Sequence, residues 1–347
     1  MKINNILMIG DNVGRTKQRV AAMRRLGYTV NVLSSVPDDF KPGINEHITL
    51  MDRVWHKLQL PRDKTKLNAR VLQRLDQKKY DLVWVEKSLI LKPITIKKIK
   101  HNHSALKIVW YSEDDMFARH NQSRYFVNAL PYYDLVFTTK SYNCDPHELP
   151  AMGAKKVIFV DKSYDPTFHK PLPITHEDEK KYGADVGFIG TFEDDRYQKM
   201  LFLAEKGIQV RIWGNGWKQA INVHPNLHVE NKPIYDNDYV KAICATKINL
   251  CFLRKINRDL QTDRTMEIPA CGAFMLAERT NEHLRLFQEN KEAAYFDITN
   301  PIALYETVKY YLQHDQERIA IARAGLQRCI DSKYSHDERL RYMFEQL

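Results

Sequence analysis

The chain has no run approaching the ~18 to 20 uninterrupted apolar residues of a membrane-spanning helix. Its opening, MKINNILMIGDN, turns polar too early for a secretory leader with a cleavage site. A soluble, cytoplasmic protein is therefore expected. Cysteine is sparse: Cys144, Cys244, Cys251, Cys271 and Cys329 are odd in number and widely scattered, with no Cys-x-x-Cys pair. That pattern argues against a disulfide framework or a thiolate metal site and predicts reduced packing residues. His101 and His103 stand one residue apart without a carboxylate or cysteine at ligand spacing, so no metal is expected. Two glycine motifs are incomplete. GDNVGRTK (10–17) spaces its glycines too closely for a phosphate-binding P-loop and has Arg-Thr where Lys-Ser/Thr is needed. WGNGW (213–217) lacks the third glycine and the downstream acid of a dinucleotide fingerprint, and Trp213 is expected in the core. These gaps argue against ATP hydrolysis and hydride transfer.

What is present is enough chain for two cores. A length of 347 residues with 44% apolar content predicts two domains. The net charge of +10 is concentrated: residues 51–100 hold fourteen lysines and arginines against five acids. Such a patch suits anionic phosphate, including a peripheral contact with an anionic membrane face, although a solvated helix face would look the same. Nucleic acid is not expected, because no module signature or aromatic-interleaved strand accompanies the charge.

Along the chain, apolar runs alternate with helical periods. INNILMIG, YTVNVLS, YDLVWVE, LKIVWYS, DLVFTTK and KKVIFVD read as strands rich in Val, Ile, Leu, Phe and Trp with little alternation, which indicates a parallel sheet covered on both faces. Gly27 is placed to end the first helix, and Leu67, Val71, Leu72 and Leu75 share one helical face. From Ser163 to Gly183 the pattern lapses into prolines and charge. It then restarts with ADVGFIG, QVRIWG, INLCFL, FMLAE and AAYFD. The expected organisation is a first α/β domain at 1–165, a linker at 166–182, a second at 183–300, and helices at 301–347 packing back across both. The fold class is thus α/β, two Rossmann-like doubly wound parallel sheets facing a cleft, with ligands at the carboxyl ends of strands.

The segment RDLQTDRTMEIPACGAFMLAE, 258–278, crowds charges and hydroxyls before an apolar run. Asp259 and Glu267 have seven residues between them, in a loop after a strand and at the start of a helix. A helix N-terminus favours phosphate, a nearby carboxylate can accept from vicinal sugar hydroxyls, and Gly272 permits close backbone approach. Read from spacing alone, the same residues also fit a capped helix on a core strand.

KINLCFLRKINRDLQTDRTMEIPACGAFMLAE resembles the carboxyl-terminal signature of the CgeB-like (spore maturation protein) glycosyltransferases and, more distantly, of the family 4 retaining glycosyltransferases. The resemblance covers 5–296 and implies the two-domain GT-B fold, with an acceptor-binding first domain and a donor-binding second one. It implies that Glu267 binds the donor ribose, that Asp259 meets the sugar where the family carries Glu, and that Arg264 supplies the Arg-x-x-Glu spacing. In VGFIGTFEDDRYQKM it implies that Gly190 lets backbone approach the diphosphate and that Arg196 or Lys199 neutralises it. SYDPTFHKPL resembles the element ending the acceptor domain, with Ser163 and Tyr164 where the family has Gly-Val. WYSEDD lies where related enzymes face the acceptor, and Lys232-Pro233-Ile234-Tyr235 where the base is held.

The implied activity is glycosyl transfer from a nucleotide sugar to a glycan or glycolipid acceptor, in bacterial surface polysaccharide assembly, without cofactor or metal. Whether the donor carries UDP, GDP or dTDP stays open. Arginine, lysine and helix N-termini would stabilise the departing diphosphate. Retention needs no separate base; inversion would need one, for which Asp114, Asp115 and His120 are candidates alongside Arg264 as the charge-stabilising group. Gly14 would let the first strand-to-helix turn approach the acceptor, or serve as a plain turn glycine. The Glu-Asp-Asp run at 193–195 reads as a charged first helical turn, and that at 113–115 as either site or surface. A nucleotide-sugar epimerase or hydrolase, or a non-catalytic nucleotide- or glycan-binding module, are the alternatives.

Overall fold

The computed structural model describes residues 3–37 and 49–347. Two compact units divide the chain: Met1–Asp161 with His336–Leu347, and Lys162–Ser335.

The first unit runs β1 (Asn5–Gly10), α1 (Gly14–Arg25), β2 (Thr29–Ser34), α2 (Leu50–Lys57), α3 (Leu67–Gln77), β3 (Leu82–Glu86), α4 (Pro93–Asn102), β4 (Lys107–Ser112), α5 (Arg124–Ala129), β5 (Leu135–Thr138) and β6 (Val157–Phe159). Its strands are all parallel, in the order β2-β1-β3-β4-β5-β6. Because side chains alternate across a strand, Leu7, Ile9, Val83, Val85 and Trp110 pack with Leu67, Val71 and Leu75 of α3 and Ile96 of α4 on one face. Ile6, Met8, Leu82, Trp84 and Tyr111 pack with Val20 and Met23 of α1 on the other. Both faces are apolar, so the strands read as unbroken hydrophobic runs, and each fully buried aliphatic or aromatic side chain contributes roughly 1.5–3 kcal/mol. Gly27 ends α1 as expected: its φ of +92° is one that L side chains rarely adopt, and the Tyr28 N–H reaches the Met23 carbonyl at 3.1 Å.

The second unit runs α6 (His176–Tyr182), β7 (Ala184–Ile189), α7 (Asp194–Glu205), β8 (Val210–Trp213), β9 (Leu227–Val229), α8 (Asp236–Ala245), β10 (Thr246–Cys251), α9 (Asp263–Ala270), β11 (Met275–Glu278), α10 (Asn281–Leu286), β12 (Ala294–Phe296), α11 (Pro301–Gln313) and α12 (Asp315–Asp331). Its parallel order is β12-β11-β10-β7-β8-β9. The last helix, α13 (His336–Glu345), belongs to the first unit, where Leu340 and Met343 join the α1 face and Arg25 clamps Asp337 with hydrogen bonds of 3.0 and 2.7 Å.

The stretch 166–182 lies in the second unit and ends in α6, whose Thr175 hydroxyl accepts from the Asp178 N–H at 3.1 Å. Helix α10 stops at Leu286, since Tyr295 donates to the carbonyls of both His283 and Phe287 at 2.8 Å and pins the turn that follows. Between β5 and β6 stands a 3₁₀ turn, Ser141–Cys144. All five cysteines are free thiols. Among the described residues no helix is long and apolar enough to cross a membrane.

Candidate functional site

In the second sheet β7 and β10 are neighbours whose onward connections leave to opposite faces. Helix α7 packs Met200 and Leu203 on one side, and α9 packs Met266 and Ile268 on the other. The carboxyl ends of β7 and β10 therefore form a topological switch point, where open α/β sheets take ligands. Both helices begin there, so two sets of N-terminal N–H groups and two positive dipole ends converge.

Arg196, on the first turn of α7, is buried. Its Nη1 donates to the Thr191 carbonyl at 3.2 Å, Nη2 lies 3.5 Å from Glu193, and the guanidinium sits 5.5 Å over the Phe188 ring. Nε is buried with no hydrogen-bond partner. Burial pushes the Arg196 pKa down; Arg264 and Arg254 push it further, while Glu193 and Glu278 hold part of it back. Arg264, half-buried on the first turn of α9, is thus within electrostatic reach of Arg196. Around this pair Lys199 and Lys255 share Asp195, the latter at 2.6 Å, and Arg254 donates to Glu193 at 3.1 Å. Glu278, at the end of β11, accepts the Leu253 N–H at 2.7 Å, and burial raises its pKa. A buried guanidinium crowded by a second cation and holding an unused donor is an arrangement that a polyanion relieves.

Helix α9 is buried except at Thr262, its cap, and Arg264. Its polar residues are held inside the unit. Asp263 pairs with Lys162 at 3.2 Å. The Thr265 hydroxyl accepts the Thr262 N–H at 2.9 Å and meets His283 Nε2 at 2.8 Å. His283 Nδ1 lies 2.6 Å from the Glu278 carbonyl, which can only accept, so the ring carries its proton on Nδ1 and accepts from Thr265 at Nε2. Burial pushes the His283 pKa down to about 4. Glu267 accepts from the Tyr239 hydroxyl and lies 3.5 Å from His169 Nε2. Because His169 Nδ1 accepts the Asp165 N–H at 3.1 Å, its proton is on Nε2 and points at Glu267. Burial and the Glu267 charge raise the Tyr239 pKa well above its ordinary value. Glu267 is therefore an oriented carboxylate, supported from two sides, rather than a solvated one. Asp259 folds its own loop, accepting from Asn257 Nδ2 at 2.8 Å and the Arg254 N–H at 3.3 Å.

Gly190 has a structural reason for being glycine in its own unit. A Cβ there would stand 2.5 Å from the Phe188 ring, and its carbonyl accepts the Trp217 indole N–H at 2.9 Å. Trp213 is core, as expected. The Lys232 carbonyl accepts the Gly214 N–H at 2.9 Å while its exposed side chain lies 3.7 Å from Glu230. Ile234 packs against Tyr182, Trp213 and Ala242.

The first sheet has its own switch point at β1 and β3, and there the charges are arranged differently. Gly14 opens α1 with φ +48°. Buried Arg19 donates from Nε to Glu86 at 2.8 Å, places Nη2 3.3 Å from Glu113, and lies 4.2 Å over the Tyr111 ring. Arg15 adds a 2.8 Å bond to Glu113, and Trp84 Nε1 donates to Glu86 at 3.1 Å. Burial opposes the Arg19 charge, but Glu86, Tyr111 and Glu113 outweigh it and raise its pKa. Asp115 is fully buried and accepts from Asn143 Nδ2 at 2.8 Å and the Phe117 N–H at 3.1 Å, a carboxylate that holds its loop. Asp114 pairs with Lys87, and His120 is exposed.

The sequence reading missed Glu86, Glu278, Arg19, Tyr239, His169 and His283. The two glutamates carried a signal: each closes an apolar strand run, LVWVE and FMLAE. His169 lies within SYDPTFHKPL, while Arg19, Tyr239 and His283 carried none, since only the fold brings them to their partners. Among the described residues, no group of three or more His, Cys, Asp or Glu could hold a metal ion.

Residues 196–345 match a protein family described as glycosyl transferase-like. No curated protein matches the chain. Among solved structures, the chain is similar to sucrose-phosphate synthase from Thermosynechococcus elongatus (11% identity, TM-score 0.67, covering 99% of this chain and 98% of that one). It is similar to Anabaena HepE in complex with UDP and glucose (12%, 0.61, 100% of both chains). A third likeness is to the Escherichia coli trehalose-6-phosphate protein bound with UDP-2-fluoro glucose (10%, 0.68, 99% and 98%). The two parallel-sheet units are those of the GT-B fold. The matched segment contains Arg196, Asp259, Arg264, Glu267 and Glu278, and with the fold it supports a glycosyl transferase.

Proposed function

We propose that the chain transfers a sugar from a nucleotide-sugar donor to a glycan or glycolipid acceptor, with retention of configuration and without a metal, as a CgeB-like glycosyltransferase of surface polysaccharide or glycoconjugate synthesis. The observation that carries this reading is buried Arg196, with its Nε unused, at the β7/β10 switch point where two helices begin. As the bond between the anomeric carbon and the phosphate oxygen breaks, negative charge grows on the diphosphate. Arg264 and the helix N-termini answer that charge, and Arg196 offers its unused Nε donor. Glu267, oriented by Tyr239 and His169, accepts from the ribose hydroxyls, and Asp259 lies toward the sugar. Lys232 and Ile234 flank the base through backbone contacts.

With retention, the acceptor hydroxyl attacks on the leaving-group side and passes its proton to the departing phosphate, so no side-chain base is required. Of the three candidate bases, Asp115 is committed to its loop and Asp114 to Lys87, which leaves His120 as the side chain an inverting enzyme would use. The UDP-sugar complexes of fold neighbours make UDP-sugars the first donors to test. We assign residues 51–100 a peripheral contact with an anionic membrane, on charge.

The test is incubation with a panel of nucleotide sugars, with and without glycan or lipid-linked acceptors, read by mass spectrometry in the presence of EDTA. Glycosylated acceptor is the expected product. Altered or hydrolysed sugar from donor alone would instead make it an epimerase or hydrolase, and nucleotide binding without turnover a binding module.

A further inference from the structure

Helix α2 is amphipathic and buries none of its residues. Leu50, Met51, Val54 and Trp55 share one face at spacings of one and four, and Leu58 continues it one turn on; all five are exposed, Leu50 by 78%. An apolar helix face of this kind, continuous and rimmed by charge, marks an interaction surface. The rim is cationic. Arg53 and Lys57 lie on α2 itself, and beside it opens a groove of about 280 Å³ lined by Trp55, Tyr125, Arg62, Lys64 and Lys92. The acid in that lining, Asp63, is spent on the start of α3, accepting the N–H groups of Leu67 and Asn68 at 2.7 and 3.0 Å. Arg62 and Lys64 share Asp52, at 3.7 and 2.7 Å, and Lys92 lies 5.9 Å over the Tyr125 ring. Other basic residues of 51–100 are engaged elsewhere in the unit: Lys78 on Asn31, Lys87 on Asp114, Lys100 on Asp134.

We infer that α2 and this groove dock the protein on an anionic phospholipid bilayer, the apolar face entering the headgroup–acyl boundary while Arg62, Lys64 and Lys92 meet lipid phosphates. A bilayer satisfies both halves of the surface at once, because a short convex apolar helix and its cationic flanks match the depth and charge of an anionic interface. A second copy would bring like charge against the same rim. Nucleic acid would leave the apolar face in water. The inference narrows the membrane contact proposed above from fifty residues to one helix and its groove, and it stands whatever the transfer reaction proves to be.

The protein contains its own probe. Of five tryptophans, Trp84, Trp110, Trp213 and Trp217 are buried and Trp55 is exposed. With vesicles of phosphatidylcholine and phosphatidylglycerol, co-sedimentation should be salt-sensitive, tryptophan emission should shift to the blue, and brominated lipid should quench it. Pure phosphatidylcholine vesicles should bind about tenfold more weakly. Leu50→Glu with Val54→Glu should lower vesicle affinity about tenfold or more while leaving nucleotide titration and the thermal melt unchanged, since both positions are exposed. Trp55→Phe should abolish the quenching and keep the sedimentation. Wild-type protein left in the supernatant with anionic vesicles, or a double variant that binds as well as wild type, would overturn the proposal. So would a dimer in sedimentation velocity that the double variant dissolves, which would give the helix face to a second copy.

Discussion

Glu86 closes β3 in the first unit and Glu278 closes β11 in the second; both are buried, and burial raises both pKa values. Their company differs. Glu86 is met by Arg19 and Trp84, and with Glu113 it holds Arg19 more firmly protonated than a free arginine. Glu278 spends one oxygen on the Leu253 N–H and supports the Arg196 charge only through space; burial, then Arg264 and Arg254, outweigh Glu193 and Glu278, so Arg196 is held less firmly than a free arginine. Two buried arginines at two strand switch points are thus shifted in opposite directions. The fold supplies a crevice at each point; burial and the balance of charge set how firmly each buried arginine is held, and the one in the second unit keeps an unused Nε donor.

That contrast can be broken from either side. The largest expected effect is Arg19→Ala, which leaves Glu86 buried without its counter-charge and should cost about 3–5 kcal/mol in urea unfolding, with nucleotide affinity of the folded protein unchanged. In the second unit Arg264→Ala should do the reverse, leaving the unfolding midpoint near wild type and lowering kcat about 10²–10³-fold in steady-state kinetics with saturating donor. A rise in KM alone would remove Arg264 from the reacting charge.

The pH dependence should also separate the units. His283 is neutral in the fold with a pKa near 4, below the value of ~6.5 in the unfolded chain. Between those values the unfolded chain binds the proton and the native one does not, so stability is complete above pH 6.5 and falls as pH drops toward 4, by about 3 kcal/mol in all. Unfolding of His283→Gln measured at pH 7 and pH 4.5 should show a shallower loss than wild type. The smallest effect expected is from Glu267→Gln, which keeps an acceptor for Tyr239 but removes the charge. Nucleoside diphosphate affinity should fall by about 1.5–3 kcal/mol in titration calorimetry, and unchanged affinity would take Glu267 away from the ribose.

Much of the framework was legible because both sheets are parallel and covered on both faces, which turns a strand into a plain apolar run such as NILMIG or INLCFL. What escaped were elements whose packing does not show in local pattern. β9 offers only Leu227, His228 and Val229 at a sheet edge. α2 has a clear apolar period that no core absorbs, so its significance appears only once its face is seen exposed. For the site, Arg196 and Arg264 are marked by the resemblance, and both fall on the first turn of a helix. The support of Glu267 could not be marked, because Tyr239 and His169 stand 28 and 98 positions away in sequence and reach it from α8 and from the loop before α6. Gly190 has a further reason for being glycine that no local pattern shows, the Phe188 ring.

The most direct measurement is titration calorimetry of a nucleoside diphosphate into wild type, Arg196→Ala, Arg264→Ala and Arg15→Ala. Binding at one site, weakened at least tenfold by either change in the second unit and left alone by the one in the first, is the result expected. Binding that survives in both second-unit variants, or that fails only when Arg15 is removed, would place the anion at the other switch point and contradict the account.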